Sequence, residues 1–174
     1  MSGDLAIEPL APEIVPDTAA VQDFWEACRA ASGLPAATPY GAFAFGSGET
    51  MADQLLALVL SGAKRATAAL LAEYEAEGLD PFRDGFHEVV VDGRGLPGCV
   101  IRYEGIRLCR FGDVDAAFAT REGEGDGSLA YWRDGHFRYF DPLLRARFGR
   151  GMTDDEPVVL EPFTVVWPPE LAEP

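Results

Sequence analysis

The chain has 174 residues, 48% of them hydrophobic and 25% charged, with a formal net charge of −15; one domain with a single sizeable core is the expectation. The surplus of acid opposes a broad nucleic-acid footprint, and no apolar run approaches the roughly 20 residues that cross a bilayer. Three cysteines, Cys28, Cys99 and Cys109, form no CxxC pair, which suits reduced thiols and a cytoplasmic location better than a disulfide framework.

Residues 1–16 are acidic and broken by Pro9, Pro12 and Pro16. They read as a flexible leader, neither signal nor transit peptide, ahead of one domain over 17–170. Asp17 or Thr18 can cap a first helix, in which Val21, Phe24, Trp25 and Cys28 form one apolar stripe before Gly33 ends it. Residues 33–49 read as a connection rich in Gly, Ala and Pro. Thr50, with Asp53 three residues on, is close to a capping box for a second helix that runs through Leu55, Leu56, Val59 and Leu60 to Gly62. A third helical piece is expected over 68–77.

The stretch HEVVVDGRGLPGCVIRYEGIRLCRF then reads as two or three strands. Its GRGLPG matches GxGxxG literally, but it lies between strands and contains Pro97, so it is a hairpin turn rather than a dinucleotide fingerprint. A short helix over DVDAAFATREG follows, then the acidic glycine loop EGEGDGS. Ser128 can cap a helix over SLAYWRDGHFRYF, and MTDDEPVVLEPFTVVW closes with one or two strands. The order of elements, with no repeated βα unit, favours an α+β fold with a small, mostly antiparallel sheet or barrel.

Lys64 is the chain's single lysine; the other basic residues are all arginine. Guanidinium stays protonated, whereas a desolvated ammonium can lose its proton and act as a base. Thr67, three residues on, offers a hydroxyl that such a base could activate if helical or tight-turn geometry puts both on one side. The plainer reading is a surface charge compensating a helix C-terminus. If Lys64 is functional, Lys64→Arg should fold normally and lose activity.

The second constellation is Glu122, Glu124 and Asp126, followed by Ser128, Trp132 and His136. Carboxylates this close raise each other's pKa, which can keep one protonated as a general acid; the alternative is a solvated acidic turn. Trp132 can stack a base or pack in the core. His87, Cys99, Cys109 and His136 lack metal-ligand spacing, so neither metal nor cofactor is called for. Nine arginines lie between positions 102 and 150, where the local charge is +1. They either converge into a basic groove or form a mixed-charge surface.

Three segments taken together, GSGETMADQLLALVLSGAKRATAALLAEYEAEG, FGDVDAAFATREGEGDGSLAYWRDGHFRYF and VVLEPFTVVW, resemble the ASCH domain family. They are most similar to its longer bacterial branch, with a G-x-K-x-[AS]-T signature and an E-G-[ED]-G-D…W-R-x-x-H stretch, over about 45–167. The resemblance implies a PUA-like fold, a small β-barrel with helices around a cleft, and an RNA or nucleoside ligand. Similarity to the longer branch implies ribonuclease action on single-stranded RNA, with Lys64 and a serine near Ser128 taking part. Similarity to a shorter branch implies hydrolysis of the N4-acetylcytidine amide. There Lys64 would deprotonate Thr67, Thr67 would attack the acyl carbon and Glu122 would assist on the pyrimidine side. A third reading is a non-catalytic reader of RNA or a modified base. Trp132 would then be a stacking platform, Arg65 and Arg133 would sit on phosphates, and Glu124, Asp126, Ser128 and His136 would surround the ligand.

Overall fold

A computed structural model describes residues 10–173; of the expected leader, residues 1–9 lie outside the described part. Helix α1 (Thr18–Ala31) starts where Asp17 accepts a hydrogen bond from the Ala20 amide at 2.9 Å. It buries Val21, Trp25 and Cys28, the stripe read from spacing. The glycine- and proline-rich connection contains a short strand, β1 (Tyr40–Phe43). Helix α2 (Glu49–Leu60) begins one residue before Thr50 and has no side-chain cap. Asp53, expected in a capping box, instead accepts from the Gly93 amide at 2.7 Å and ties α2 to the GRGLPG hairpin.

Strand β2 (Ala66–Leu70) leads directly into α3 (Leu71–Glu77). Residues 68–70 are therefore strand, where a helix was expected. Alanine favours helix by itself, but β2 pairs residue by residue with β6 (Pro157–Trp167), from Ala66 opposite Pro162 to Leu70 opposite Val158. That pairing leaves Ala66 and Leu70 with no exposure at all, and tertiary burial outweighs local propensity.

The expected strands follow as β3 (His87–Val91), β4 (Pro97–Tyr103) and β5 (Arg107–Arg110). A 3-10 turn (Phe111–Asp113) precedes α4 (Ala116–Glu122), and Ser128 caps α5 (Leu129–Phe148) as anticipated. Helix α5 runs on past Pro142, eight residues beyond the expected end, because Leu143 and Leu144 are still buried there.

The strand order is β1-β3-β4-β6-β2, with β5 also paired to β6. The long β6 is the spine: its first half lies against β2 and β5, its second half against β4. Among the described residues only β1 and β3 run parallel. The sheet curls into a half-barrel with, among the described residues, five α-helices around it. This is the α+β, mostly antiparallel arrangement anticipated from the order of elements. Among the described residues no helix is long and apolar enough to cross a membrane, and Cys28, Cys99 and Cys109 are free thiols.

Helix α1 is held through Trp25, 1% exposed and stacked on Tyr40 with ring centroids 4.6 Å apart. Trp25→Ala is expected to lower unfolding free energy by about 3–5 kcal/mol in a denaturant melt.

A cavity backed by a buried ion cluster

Two chain ends converge behind one wall. The chain leaving α2 passes Gly62 and places Lys64 where its amide donates to the Leu58 carbonyl at 3.0 Å. The chain leaving α4 turns at Gly123, whose φ of +65° lies in the left-handed region that glycine tolerates. The Arg65 amide donates to the Arg121 carbonyl at 2.8 Å, pinning the two segments side by side. A Cβ on Gly123 would lie 1.9 Å from the Ala63 carbonyl oxygen, and one on Gly125 would lie 2.2 Å from the Tyr131 ring. The glycines of EGEGDG are there because a side chain would block this approach.

The contact delivers Lys64 between two acids fifty-eight and sixty positions away. Its ammonium donates to Glu122 Oε2 at 3.2 Å and to Glu124 Oε1 at 2.7 Å. Lys64 and Glu122 have no solvent exposure, so Lys64 is not the surface charge of the plainer reading. Glu122 also accepts from the Trp132 indole N–H at 2.9 Å, and His136 Nε2 stands 3.4 Å from its Oε2. His136 Nδ1 lies 2.9 Å from the Trp132 carbonyl, which can only accept, so that nitrogen carries a proton.

These contacts set the charges. Burial by itself would neutralise Lys64, but Glu122 and Glu124 outweigh it and hold the amine above its ordinary pKa. Burial likewise works against an ionised Glu122, yet Lys64, His136 and the Trp132 N–H together hold it well below the usual carboxylate range. Glu124 goes the other way: burial and the charge of Glu122 raise it, against the pull of Lys64. His136 is raised by Glu122 despite its burial. The two carboxyl groups are therefore shifted in opposite directions, Glu122 downward and Glu124 upward.

In front of this cluster lies a cavity of about 390 Å³, within the size class of small-molecule sites. Thr67, Glu124 and His136 are on its wall; Lys64 and Glu122 are behind it. No hydrogen bond joins Lys64 to Thr67. Thr67 sits on a strand and not on a helix, and its hydroxyl has no hydrogen-bond partner among the described residues.

The other residues singled out from sequence serve the scaffold. Ser128 caps α5 by accepting from the Tyr131 amide at 3.1 Å, and Asp126 accepts from the Ser128 amide at 2.8 Å. Arg65 spends its guanidinium on the Val59 and Lys64 carbonyls and on Glu173. Arg133 donates to the Gly112 and Val114 carbonyls. Trp132 is 2% exposed, lies against Phe111 on one side and stacks on His136 at 4.1 Å, which leaves no open face for a base. Every arginine between positions 102 and 150 except Arg133 pairs with a carboxylate, so the mixed-charge surface is what forms.

A second polar group on the wall was not anticipated. Arg83 donates to Glu88 Oε1 at 2.9 Å and to the Tyr74 hydroxyl at 3.0 Å, with its guanidinium 4.6 Å from the Tyr103 ring centroid. Tyr74 donates to Glu161, and Tyr103 to Glu88. The available sign was a carboxylate inside each of two strand-like runs, HEVVV and VVLEPFTVVW, where a buried charge demands partners. Among the described residues the wall carries five carboxylates (Glu73, Glu77, Glu88, Glu124 and Glu161) against one guanidinium and one imidazole.

Glu122, Glu124 and His136 also bring one potential ligand atom each to within 4.8 Å of one another, a spacing open to a metal ion. The Lys64 ammonium already lies on both carboxylates and supplies the positive charge they need.

The sequence matches the ASCH domain family over residues 41–167, and the chain belongs to that family. Among solved structures it is similar to the ASCH domain from Lactobacillus crispatus JV V101, with a TM-score of 0.78 and 31% identity over 86% of this chain and 96% of that one. It is also similar to protein EF3133 from Enterococcus faecalis V583, with a TM-score of 0.77 and 28% identity over 86% of this chain and 89% of that one. Comparison with curated proteins finds no match. The α+β, PUA-like fold expected from the resemblance is the fold observed.

Full burial changes what Lys64→Arg should do, because a larger guanidinium would overpack the cluster and cost stability as well as any activity. Lys64→Met leaves Glu122 without its main counter-ion and should cost about 3–5 kcal/mol, roughly 10 °C in Tm for a chain of this size. Lys64→Met combined with Glu122→Gln should be less destabilised than the sum of the two single changes. The folded-state pKa of Glu122 is depressed, so its contribution is present above the ordinary carboxylate range and is lost as pH falls below it. The acid limb of a Tm-against-pH curve should therefore flatten in Glu122→Gln.

Proposed function

We propose that the cavity binds a small, uncharged acylated nucleobase or nucleoside and hydrolyses its amide, with N4-acetylcytidine as the representative substrate. The observation that carries this reading is the wall itself: a nucleophile-bearing residue, Thr67, and a carboxyl group of raised pKa, Glu124, line one cavity of about 390 Å³ whose charged groups are mostly carboxylates. A phosphodiester brought to such a lining would meet net negative charge, whereas a neutral heterocycle would not.

Thr67 Oγ1 attacks the acyl carbon, the carbonyl electron pair moves onto oxygen, and the C–N bond breaks as the intermediate collapses. The leaving exocyclic nitrogen takes its proton from Glu124, which the burial and charge around it keep available as a donor. Water then attacks the acyl-threonine, releases the acid and restores both residues. Lys64 and Glu122 act from behind the wall as positioning residues: they hold Glu124 and His136 in place. Phe43, Phe45, Tyr103 and Tyr131 line the same space and supply surfaces against which a planar ring can pack.

Single-stranded RNA, the other substrate implied by the family resemblance, is less well matched. The arginines that could follow its backbone are paired with acids or backbone carbonyls. A base-reading role for Trp132 has no open ring face to use. The test is incubation of the purified protein with N4-acetylcytidine and, separately, with single-stranded RNA, without added metal, followed by chromatography. Cytidine and acetate are the expected products, absent with Thr67→Ala, and kcat should fall about 10²–10⁴-fold with Glu124→Gln. RNA fragments together with an untouched nucleoside would overturn the proposal.

A further inference from the structure

An attacking hydroxyl must lose a proton, and the cluster behind the wall cannot take it. Lys64 is held as an ammonium by two carboxylates and has no free electron pair. His136 spends Nδ1 on the Trp132 carbonyl and turns Nε2 toward Glu122. Glu124 accepts from Lys64 at 2.7 Å, and burial and the charge of Glu122 raise its pKa, which suits it to give a proton to the leaving group.

The strand register supplies a different partner. Thr67 of β2 lies directly opposite Glu161 of β6. Opposed residues of an antiparallel pair project to the same face, with Cβ atoms about 4.5–5.5 Å apart. Both residues line the cavity, although the Glu161 side chain is only 3% exposed. The two oxygens of Glu161 are used differently. Oε1 accepts from the Tyr74 hydroxyl and, at 3.4 Å, from Arg83 Nη2. Oε2 has no hydrogen-bond partner among the described residues, and neither has the Thr67 hydroxyl across from it. Arg83 is itself fixed by Glu88, which the Tyr103 hydroxyl holds in turn. Oε1 is held from α3 and from the connection before β3, and Oε2 is left over on the residue that stands opposite Thr67 in the register.

We propose that Glu161 is the general base of this cavity, taking the Thr67 hydroxyl proton on its free Oε2. The proposal rests on the amidohydrolase reading for its place in a cycle. In acylation the Thr67 O–H bond breaks, an O–H bond forms on Glu161, the Oγ1–carbon bond forms, and the nitrogen leaves with the proton of Glu124. In deacylation water attacks the acyl carbon, its proton goes to Glu124, and Thr67 recovers its proton from Glu161 as the ester bond breaks. Atoms and charges balance, and neither Lys64 nor His136 changes protonation. Burial pushes the Glu161 carboxyl up to about 7, with the Tyr74 hydrogen bond and Arg83 pulling it down and Glu88 pushing it further up. A group divided between its two forms at neutral pH suits a base that must also give the proton back. Thr67 and Glu161 are not hydrogen-bonded to each other here, as is common before a substrate draws catalytic groups into line.

The experiment uses p-nitrophenyl acetate as an acyl donor and mass spectrometry to locate acetyl on Thr67, across neutral pH, in the full chain. The wild-type acetylation rate should rise with pH through an inflection near the Glu161 value. Glu161→Gln, with an unchanged melting transition, should acetylate about 10²–10⁴-fold more slowly and lose the inflection. Tyr74→Phe keeps the carboxylate but removes a donor that favours its ionised form. Its inflection should therefore move to higher pH, a change that a merely structural Glu161 would not produce. Wild-type acetylation of Thr67 that depends on Glu161, without hydrolysis of N4-acetylcytidine, would sink the substrate and keep the base. Acetylation in Glu161→Gln within about threefold of wild type, an inflection that survives the substitution, or no acetylation of wild-type Thr67 would overturn the proposal.

Discussion

One ammonium, buried without any contact with water, governs this structure. A charge in that position is tolerable only when paired and hydrogen-bonded, and Lys64 meets both conditions through Glu122 and Glu124. Its need for partners explains why the end of α2, the glycine turn after α4 and the first turns of α5 come together. The carboxylates in turn explain Trp132 and His136, which complete the shell of Glu122. Removing any one member strands another charge in a dry place. The cluster behaves as a unit, and its energetic contribution cannot be assigned residue by residue.

Because the ammonium is so firmly held, it is a poor candidate for proton transfer. The roles divide across the wall. Behind it, Lys64 and Glu122 are fixed ions. In front, Thr67, Glu124 and Glu161 line the cavity. Two of the carboxyl groups that line the cavity with Thr67 have a raised pKa, each shifted chiefly by burial. In the amidohydrolase proposed above they would serve as acid and base to the Thr67 hydroxyl.

Much of this was legible in the sequence, and the rest was hidden for identifiable reasons. A single lysine in an arginine-using chain marked Lys64, and alternating glycine and acid marked the loop that meets it. Caps at Asp17 and Ser128 were readable because they act within three residues. Strand β2 was not, because Ala66, Ala68 and Ala69 favour helix until β6 arrives from ninety residues away. Reading 68–77 as helix also gave Thr67 the wrong relation to Lys64. Trp132 could not be told from a stacking platform, since an indole buried against Glu122 and one open to a base have the same local sequence. The Tyr74, Arg83, Glu88, Tyr103 and Glu161 group draws on separate strands, a helix and a connection, and only the closed half-barrel brings them to one wall. Glu88 and Glu161, each in a run of apolar strand residues, were the local signs of it.

The chain's single lysine also allows the central claim to be tested without ambiguity. In protein labelled with ¹⁵N at the lysine side chain, one Nζ resonance reports on Lys64 alone. Followed by NMR as pH is raised, it should show a slowly exchanging ammonium that stays protonated beyond the ordinary lysine value of about 10.4. In Glu122→Gln the same resonance should titrate earlier. A wild-type Nζ that deprotonates near neutral pH, or exchanges with water as freely as a surface lysine, would contradict the account and return Lys64 to the role of base.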